Sequence, residues 1–227
     1  MAGKKPDWNR CVLALVPDRT GSMIDLSPYG NHAALATAAN QPTLVNDGVN
    51  INKSLSFDGA ASPNNDYLVV ADDASIQLTG LYSIIFTIKP NSFAAAMIIY
   101  SKYISVANRF HLITGSGANA GKLYIYHNAS FNLSTYPMQL NVFNNVGLSY
   151  NGTNVYHYLN GAVNSFGALA PISGAIGADL RIGSYYNAAY PLNGNIQYFF
   201  IFNYALDADE HHYMNKYLPT WLPRGSK

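Results

Sequence analysis

The chain has 227 residues, 49% of them apolar and only 11% charged, with a formal net charge of +1. An average globular chain is about 25% charged, so its 18 tyrosines and many asparagines do surface work usually left to Lys and Glu. Near-zero charge without a basic stripe argues against nucleic acid or membrane as a partner, no apolar run is long enough to cross a bilayer, and the lone Cys11 excludes an internal disulfide framework.

The first ten residues, MAGKKPDWNR, hold charges but no apolar core of a secretory signal. They read as an arm in which Lys4, Lys5 and Trp8 would dock on a partner, Trp8 as the apolar anchor. Short alternating or apolar runs then recur at close intervals, and helix-period patterns are nearly absent. Expected strands are Val12 to Val16, Ser54 to Phe57, Tyr67 to Val70, Tyr82 to Lys89 and Met97 to Ser101. Further ones are Arg109 to Thr114, Lys122 to His127, Asn145 to Tyr150, Val155 to Leu159, Leu180 to Ile182 and Ile196 to Phe202. Turn formers separate them: Asp47-Gly48, Asp58-Gly59, Asn151-Gly152, Asn160-Gly161 and Asn193-Gly194, which accept positive φ cheaply. In the hairpin around Asn151-Gly152, Tyr156 and Tyr158 must share one face, with Val155, His157 and Leu159 on the other. One helix is expected, capped by Asp207 with Glu210 three places on, running to about Tyr217 and stopped before Pro219. The fold class is all-β: an antiparallel sandwich (jelly roll) with one short C-terminal helix. Residues 1–15 form the arm and first strand, 16–218 the sandwich and 219–227 a tail, in which Leu222-Pro-Arg-Gly-Ser226 resembles a protease-site remnant.

Six segments carry a family pattern. Asp25-Leu-Ser-Pro-Tyr-Gly-Asn-His32 resembles an opening D-x-S-G-x-x-N-H loop, and Leu55-Ser-Phe-Asp-Gly59 followed by Asp66-Tyr-Leu-Val-Val70 resembles the strands after it. Tyr150-Asn-Gly152 with Tyr158-Leu-Asn-Gly161, then Leu180-Arg-Ile-Gly183, and then Leu192 to Leu206 and on to Glu210 complete the set. The chain is thereby similar to a laminin-G-like domain of the concanavalin A-like lectin/glucanase superfamily. That resemblance implies two packed sheets with a concave face, and binding of glycan or protein. Thr87 stands where the family usually has Trp, and Gln197 where it has an acid. By resemblance, Asp18, Asp25, Asn31 and Asp58 are candidate oxygen ligands for one structural calcium ion, from which Gln197 removes a ligand; alternatively they only close turns.

No catalytic constellation emerges. Glycosidases on such sandwiches need two close carboxylates, and Glu210, the only glutamate, is assigned to the helix cap. Asp72 and Asp73 are strand neighbours or turn residues, Cys11 lies in an apolar run, and His211-His212 lack zinc spacing. The tyrosines remain: Tyr185, Tyr186 and Tyr190, with Asn187 between them, fall in one loop, and Tyr100, Tyr103 and Tyr136 lie near strand ends. Such residues suit sheet packing, a protein interface or a glycan platform. Two roles follow. The favoured one is a homo-oligomeric virion protein, a phage capsid decoration or tail component that docks on capsid or tail subunits and contacts surface glycans. An initiator Met without a signal, a module standing alone and low charge density support it. The other is a soluble or secreted lectin module, acting outside the cell.

Overall fold

Alternation along the strands decides the architecture, because every second side chain must leave water on the same side. A computed structural model, which describes residues 4–18, 22–35, 40–46, 53–187 and 189–221, shows two antiparallel sheets packed face to face. The strands are β1 (Cys11–Pro17), β2 (Met23–Asp25), β3 (Ala34–Leu35), β4 (Thr43–Asn46), β5 (Lys53–Asp58), β6 (Leu68–Val70), β7 (Tyr82–Pro90) and β8 (Met97–Ser105). They continue with β9 (Asn108–Thr114), β10 (Leu123–His127), β11 (Ser130–Leu133), β12 (Asn144–Tyr150), β13 (Asn154–Leu159), β14 (Ala162–Ala168), β15 (Leu180–Ile182) and β16 (Asn193–Phe202). One sheet has nine strands in the order β14-β13-β12-β7-β16-β1-β2, with β5 also on β16 and β4 on β5. The other has seven, in the order β11-β10-β9-β8-β15-β6-β3.

Between the sheets lies one core, in which Phe86, Phe199 and Tyr100 form a stack and Tyr100 meets the edge of Phe110. The imidazole sent into it is paired on both nitrogens. The His127 ring donates from Nδ1 to the Ala170 carbonyl (2.7 Å) and accepts from the Tyr82 hydroxyl at Nε2. Burial lowers its pKa to about 4, so it stays neutral.

A second apolar layer covers the outer face of the nine-stranded sheet. Ala14, Ile85, Tyr198, Phe200 and Phe202 point outward there and are closed over by Leu206 and Met214. Met214 belongs to helix α1 (Ala208–Trp221). Its N-terminus is the expected capping box: Asp207 Oδ1 accepts from Glu210 N (2.9 Å) and Glu210 Oε2 from Asp207 N (2.9 Å). His211 stacks on Tyr158 (3.7 Å, 18°) and meets Ser149 Oγ at 2.7 Å. Gly147 makes room for this, since a Cβ there would collide with the imidazole of His211. The helix runs past the expected stop near Tyr217: Pro219 forfeits one backbone bond, and the last turn carries that loss.

The arm needs correcting. Trp8 packs on Phe202 (5.5 Å) and Phe200 (5.9 Å) of its own sheet, so the residue expected to anchor a partner is spent inside the chain. Lys4 reaches Asp207 (2.8 Å) and Asp7 N donates to Tyr204 Oη (2.9 Å), while Lys5 is exposed. Residues 1–3, the Asp47-Gly48 turn and the tail from Leu222 lie outside the described residues.

Candidate functional site

The outer face of the seven-stranded sheet has no helix over it among the described residues. On β9, Phe110 and Leu112 turn inward, so Arg109, His111 and Ile113 turn outward; on β10, Leu123 and Ile125 turn inward, so Tyr124 and Tyr126 turn outward. Register makes one cross-strand file of Phe131, Tyr126, His111, Ser101 and Arg181. The neighbouring pair is Tyr103 and Arg109.

The loop between β15 and β16 folds onto this file. Tyr186 stacks flat on Tyr103 (4.2 Å, 6°), and Tyr185 lies against Tyr103 (5.0 Å), His111 (4.8 Å) and Tyr190 (6.1 Å). Further along, Phe131 touches Tyr126 (5.4 Å) and Tyr124 (5.8 Å). The Arg109 guanidinium lies over Tyr126 (4.9 Å), held by its Nε donating to the Asn128 carbonyl (2.7 Å). The result is a continuous aromatic surface, on which Tyr186 is 47%, Tyr190 50% and Phe131 55% exposed.

The loop is firmly shaped. Tyr185 N bonds Ala189 O (3.0 Å), Asn187 Oδ1 accepts from Ala189 N (3.2 Å), and Ile98 N bonds Tyr190 O (2.9 Å). Tyr190 holds φ 54° directly before Pro191, a left-handed conformation that bulky residues rarely adopt and that clusters at binding sites. Underneath, burial and then Arg109 lower the His111 pKa to about 3. Its Nδ1 meets Ser101 Oγ (3.1 Å), while Nε2 has no partner among the described residues. Burial, followed by the nearby Tyr103, pushes the Tyr185 phenol up to about 12, so this hydroxyl is neutral at physiological pH.

Of the residues singled out from the sequence, Tyr185, Tyr186 and Tyr190 therefore come together, with Asn187 exposed and closing their loop. Tyr103 joins them, Tyr100 points into the core, and Tyr136 is exposed elsewhere. Tyr124, Tyr126, Phe131, Arg109, His111 and Arg181 were missed. For Arg109, His111, Tyr124 and Tyr126 the signal was parity, since they alternate with Phe110, Leu112, Leu123 and Ile125, and Arg181 likewise stands between Leu180 and Ile182; Phe131 lies on the margin strand β11.

The calcium set does not converge. Asp25 Oδ1 accepts from Ala14 N (2.7 Å) and Ser27 N (2.9 Å), and Oδ2 from Asn31 N (2.7 Å) and Ser27 Oγ (2.7 Å). Both oxygens are thus taken by N–H and O–H donors, which a cation would have to displace. Asn31 donates its amide to Ser75 Oγ (2.8 Å), Asp18 accepts from Ser22 N (3.0 Å), and Asp58 from Ala60 N (2.7 Å). These are turn-closing roles, and no three metal-ligating His, Cys, Asp or Glu side chains meet among the described residues. Cys11 is buried, and its thiol is pushed up to about 12 by burial, which leaves it unreactive.

Residues 62–210 match the family model described as concanavalin A-like lectin/glucanases superfamily. The chain belongs to that superfamily. Solved structures similar to it in fold include the binding domain of Paraclostridial Mosquitocidal Protein 1 (TM-score 0.70, 13% identity, 92% of this chain and 52% of that one). Another is the binding domain of Botulinum neurotoxin DC, in complex with rat synaptotagmin II (TM-score 0.72, 15% identity, 93% and 52%). A third is domain 4 of an extracellular arabinanase from Geobacillus stearothermophilus, in complex with arabinotriose (TM-score 0.71, 14% identity, 89% and 97%). The chain spans about half the length of the two toxin domains, and the likeness to all three is one of fold. No curated protein sequence matches it.

Proposed function

We propose that this superfamily member is a non-catalytic glycan-binding module whose site is the outer face of the seven-stranded sheet. The observation that carries the reading is the flat stack of Tyr186 on Tyr103, continuous with Tyr185, His111, Tyr126 and Phe131. Sugar rings present C–H groups that sit well on the π-face of an aromatic ring, while Tyr hydroxyls bond the sugar hydroxyls. The arabinanase domain supports this reading: it is matched over 97% of its length, and that domain is seen with arabinotriose. Glu210, the one glutamate, is 2% exposed and tied up in the helix cap, which fits a role without hydrolysis. A glycan ligand would place the chain's work outside the cell.

A glycan microarray followed by calorimetry on the strongest binder tests the proposal. Wild type should bind with micromolar to millimolar affinity, and Tyr186→Ala should weaken binding roughly tenfold, the loss of about one ring contact. A silent array, or unchanged affinity in Tyr186→Ala, would count decisively against the site.

The virion reading keeps one specific observation. The margin strand β14 exposes Val163 (52%) and Phe166 (68%), an apolar edge that a second copy or a capsid subunit could cover. Light scattering decides it: a discrete oligomer supports assembly, and a monomer that binds glycan removes it.

A further inference from the structure

Every charge standing on the outward strand positions of the aromatic face is positive. Arg109 is set over Tyr126, and its Nε bond to Asn128 O fixes the plane of the guanidinium. Arg181, in the same cross-strand file as His111, lies over Tyr67 (4.8 Å) and points one N–H at the Tyr185 carbonyl (3.4 Å). Neither guanidinium has a carboxylate partner among the described residues, where the ion pairs join Lys4 to Asp207 and Glu210, and Lys102 to Asp72. Lys102 takes up one acid beside this sheet, Asp72. It is buried beside Asp72 (2.6 Å), with Asp73 and Asp179 close enough to act on it electrostatically.

In a chain with only 13 basic residues, two half-buried guanidiniums stand on one aromatic face, held by carbonyl and ring contacts and without counter-charges. A planar, pre-oriented guanidinium favours a two-oxygen anion, which accepts a pair of parallel N–H bonds. His111 is held neutral and adds no charge, but its Nε2 is one more unspent polar atom beneath the same surface.

We propose that the sugar selected by this face carries an anionic group, a carboxylate or a sulfate ester, bound by Arg109 with Arg181 as the second cation while the tyrosines stack on the ring. This rests on the glycan reading of the face and narrows its ligand class. The test uses two matched pairs in calorimetry: tetragalacturonate against its carboxyl-reduced form, and a heparin tetrasaccharide against its desulfated form. Wild type should prefer the anionic member of at least one pair by roughly tenfold or more, and the preference should shrink as salt is raised. The pair that shows it tells carboxylate from sulfate. Arg109→Gln should abolish the preference and Arg109→Lys keep part of it, both with a cooperative urea transition that shows the protein folded under the binding conditions. If the neutral members bind wild type equally well and Tyr186→Ala still weakens them, the anion inference falls and the glycan site stands. If neither pair binds, and a wider array of neutral, sialylated, uronate-bearing and sulfated glycans is silent too, both fall together.

Discussion

The two sheets are built by one rule and finished in opposite ways. Outward residues of the nine-stranded sheet are Ala14, Ile85, Phe200 and Phe202, and the chain covers them itself with α1 and Trp8. Outward residues of the seven-stranded sheet are Tyr103, Tyr124, Tyr126 and Arg109, amphipathic side chains left half-buried. Tyr and Arg tolerate water at one end and offer an apolar face at the other, so such a surface can stay open without becoming an aggregation seam. Covering one outer face serves stability, the other is the proposed recognition face, and substitutions should separate the two.

Acid should produce the largest effect, because it acts beneath both faces. His211 lies under the covered face and His111 under the open one, both with pKa lowered to about 3, and His127 and His157 are lowered to about 4; burial is the leading cause in all four. With folded values depressed below the ordinary 6.5, the unfolded chain takes up protons that the folded chain refuses. The stability they confer is complete above pH 6.5 and drains away as pH falls toward the folded values. Each neutral histidine contributes a slope of up to about 1.4 kcal/mol per pH unit. Urea midpoints should hold from pH 7.5 to about 6.5 and fall from there to pH 5.0, and His211→Gln or His111→Gln should flatten the curve. A flat wild-type profile would show that these rings are not held neutral.

Next come substitutions on the covered face. Phe200, 2% exposed, packs against Trp8 and Tyr198, and Phe200→Ala should cost about 3–5 kcal/mol. Gly147→Ala pushes a methyl group into His211 and should cost about 1–3 kcal/mol, because helix and sheet cannot both keep their places. Chemical denaturation measures both. Neither should change glycan affinity at temperatures where the protein is folded; a parallel loss of binding would mean that the two faces are coupled through the core.

How the faces are finished also explains what the sequence made legible. All eleven expected strands are present, each flanked on both sides or carrying long apolar runs such as Tyr82–Pro90. The five unexpected ones, β2, β3, β4, β11 and β14, lie at sheet margins. A margin strand buries little: β14 has no fully buried residue, so no hydrophobic period marks it. The helix cap was readable because Asp207 and Glu210 act locally. The loop tyrosines were readable as a cluster, but their partners Tyr103, His111 and Tyr126 come from three different strands, and only register brings those together. Asp25 shows the complementary limit: it was legible as an acid in a loop, whereas its four donors were not.

The smallest effect on stability should come from the residue on which the proposed binding site rests. Tyr186 is 47% exposed, belongs to a loop, and makes its flat contact with Tyr103 at the surface, so Tyr186→Ala removes little that the core depends on. Its cost should stay near 0.5 kcal/mol, an order of magnitude below that of Phe200→Ala, although both remove one aromatic ring. Affinity for the glycan should rank the two in reverse. Measuring urea midpoint and affinity for both variants makes a two-by-two comparison in which the off-diagonal entries carry the meaning. If Tyr186→Ala unfolds the protein as readily as Phe200→Ala, the stack on Tyr103 is structural cover, and the open face is open only in appearance.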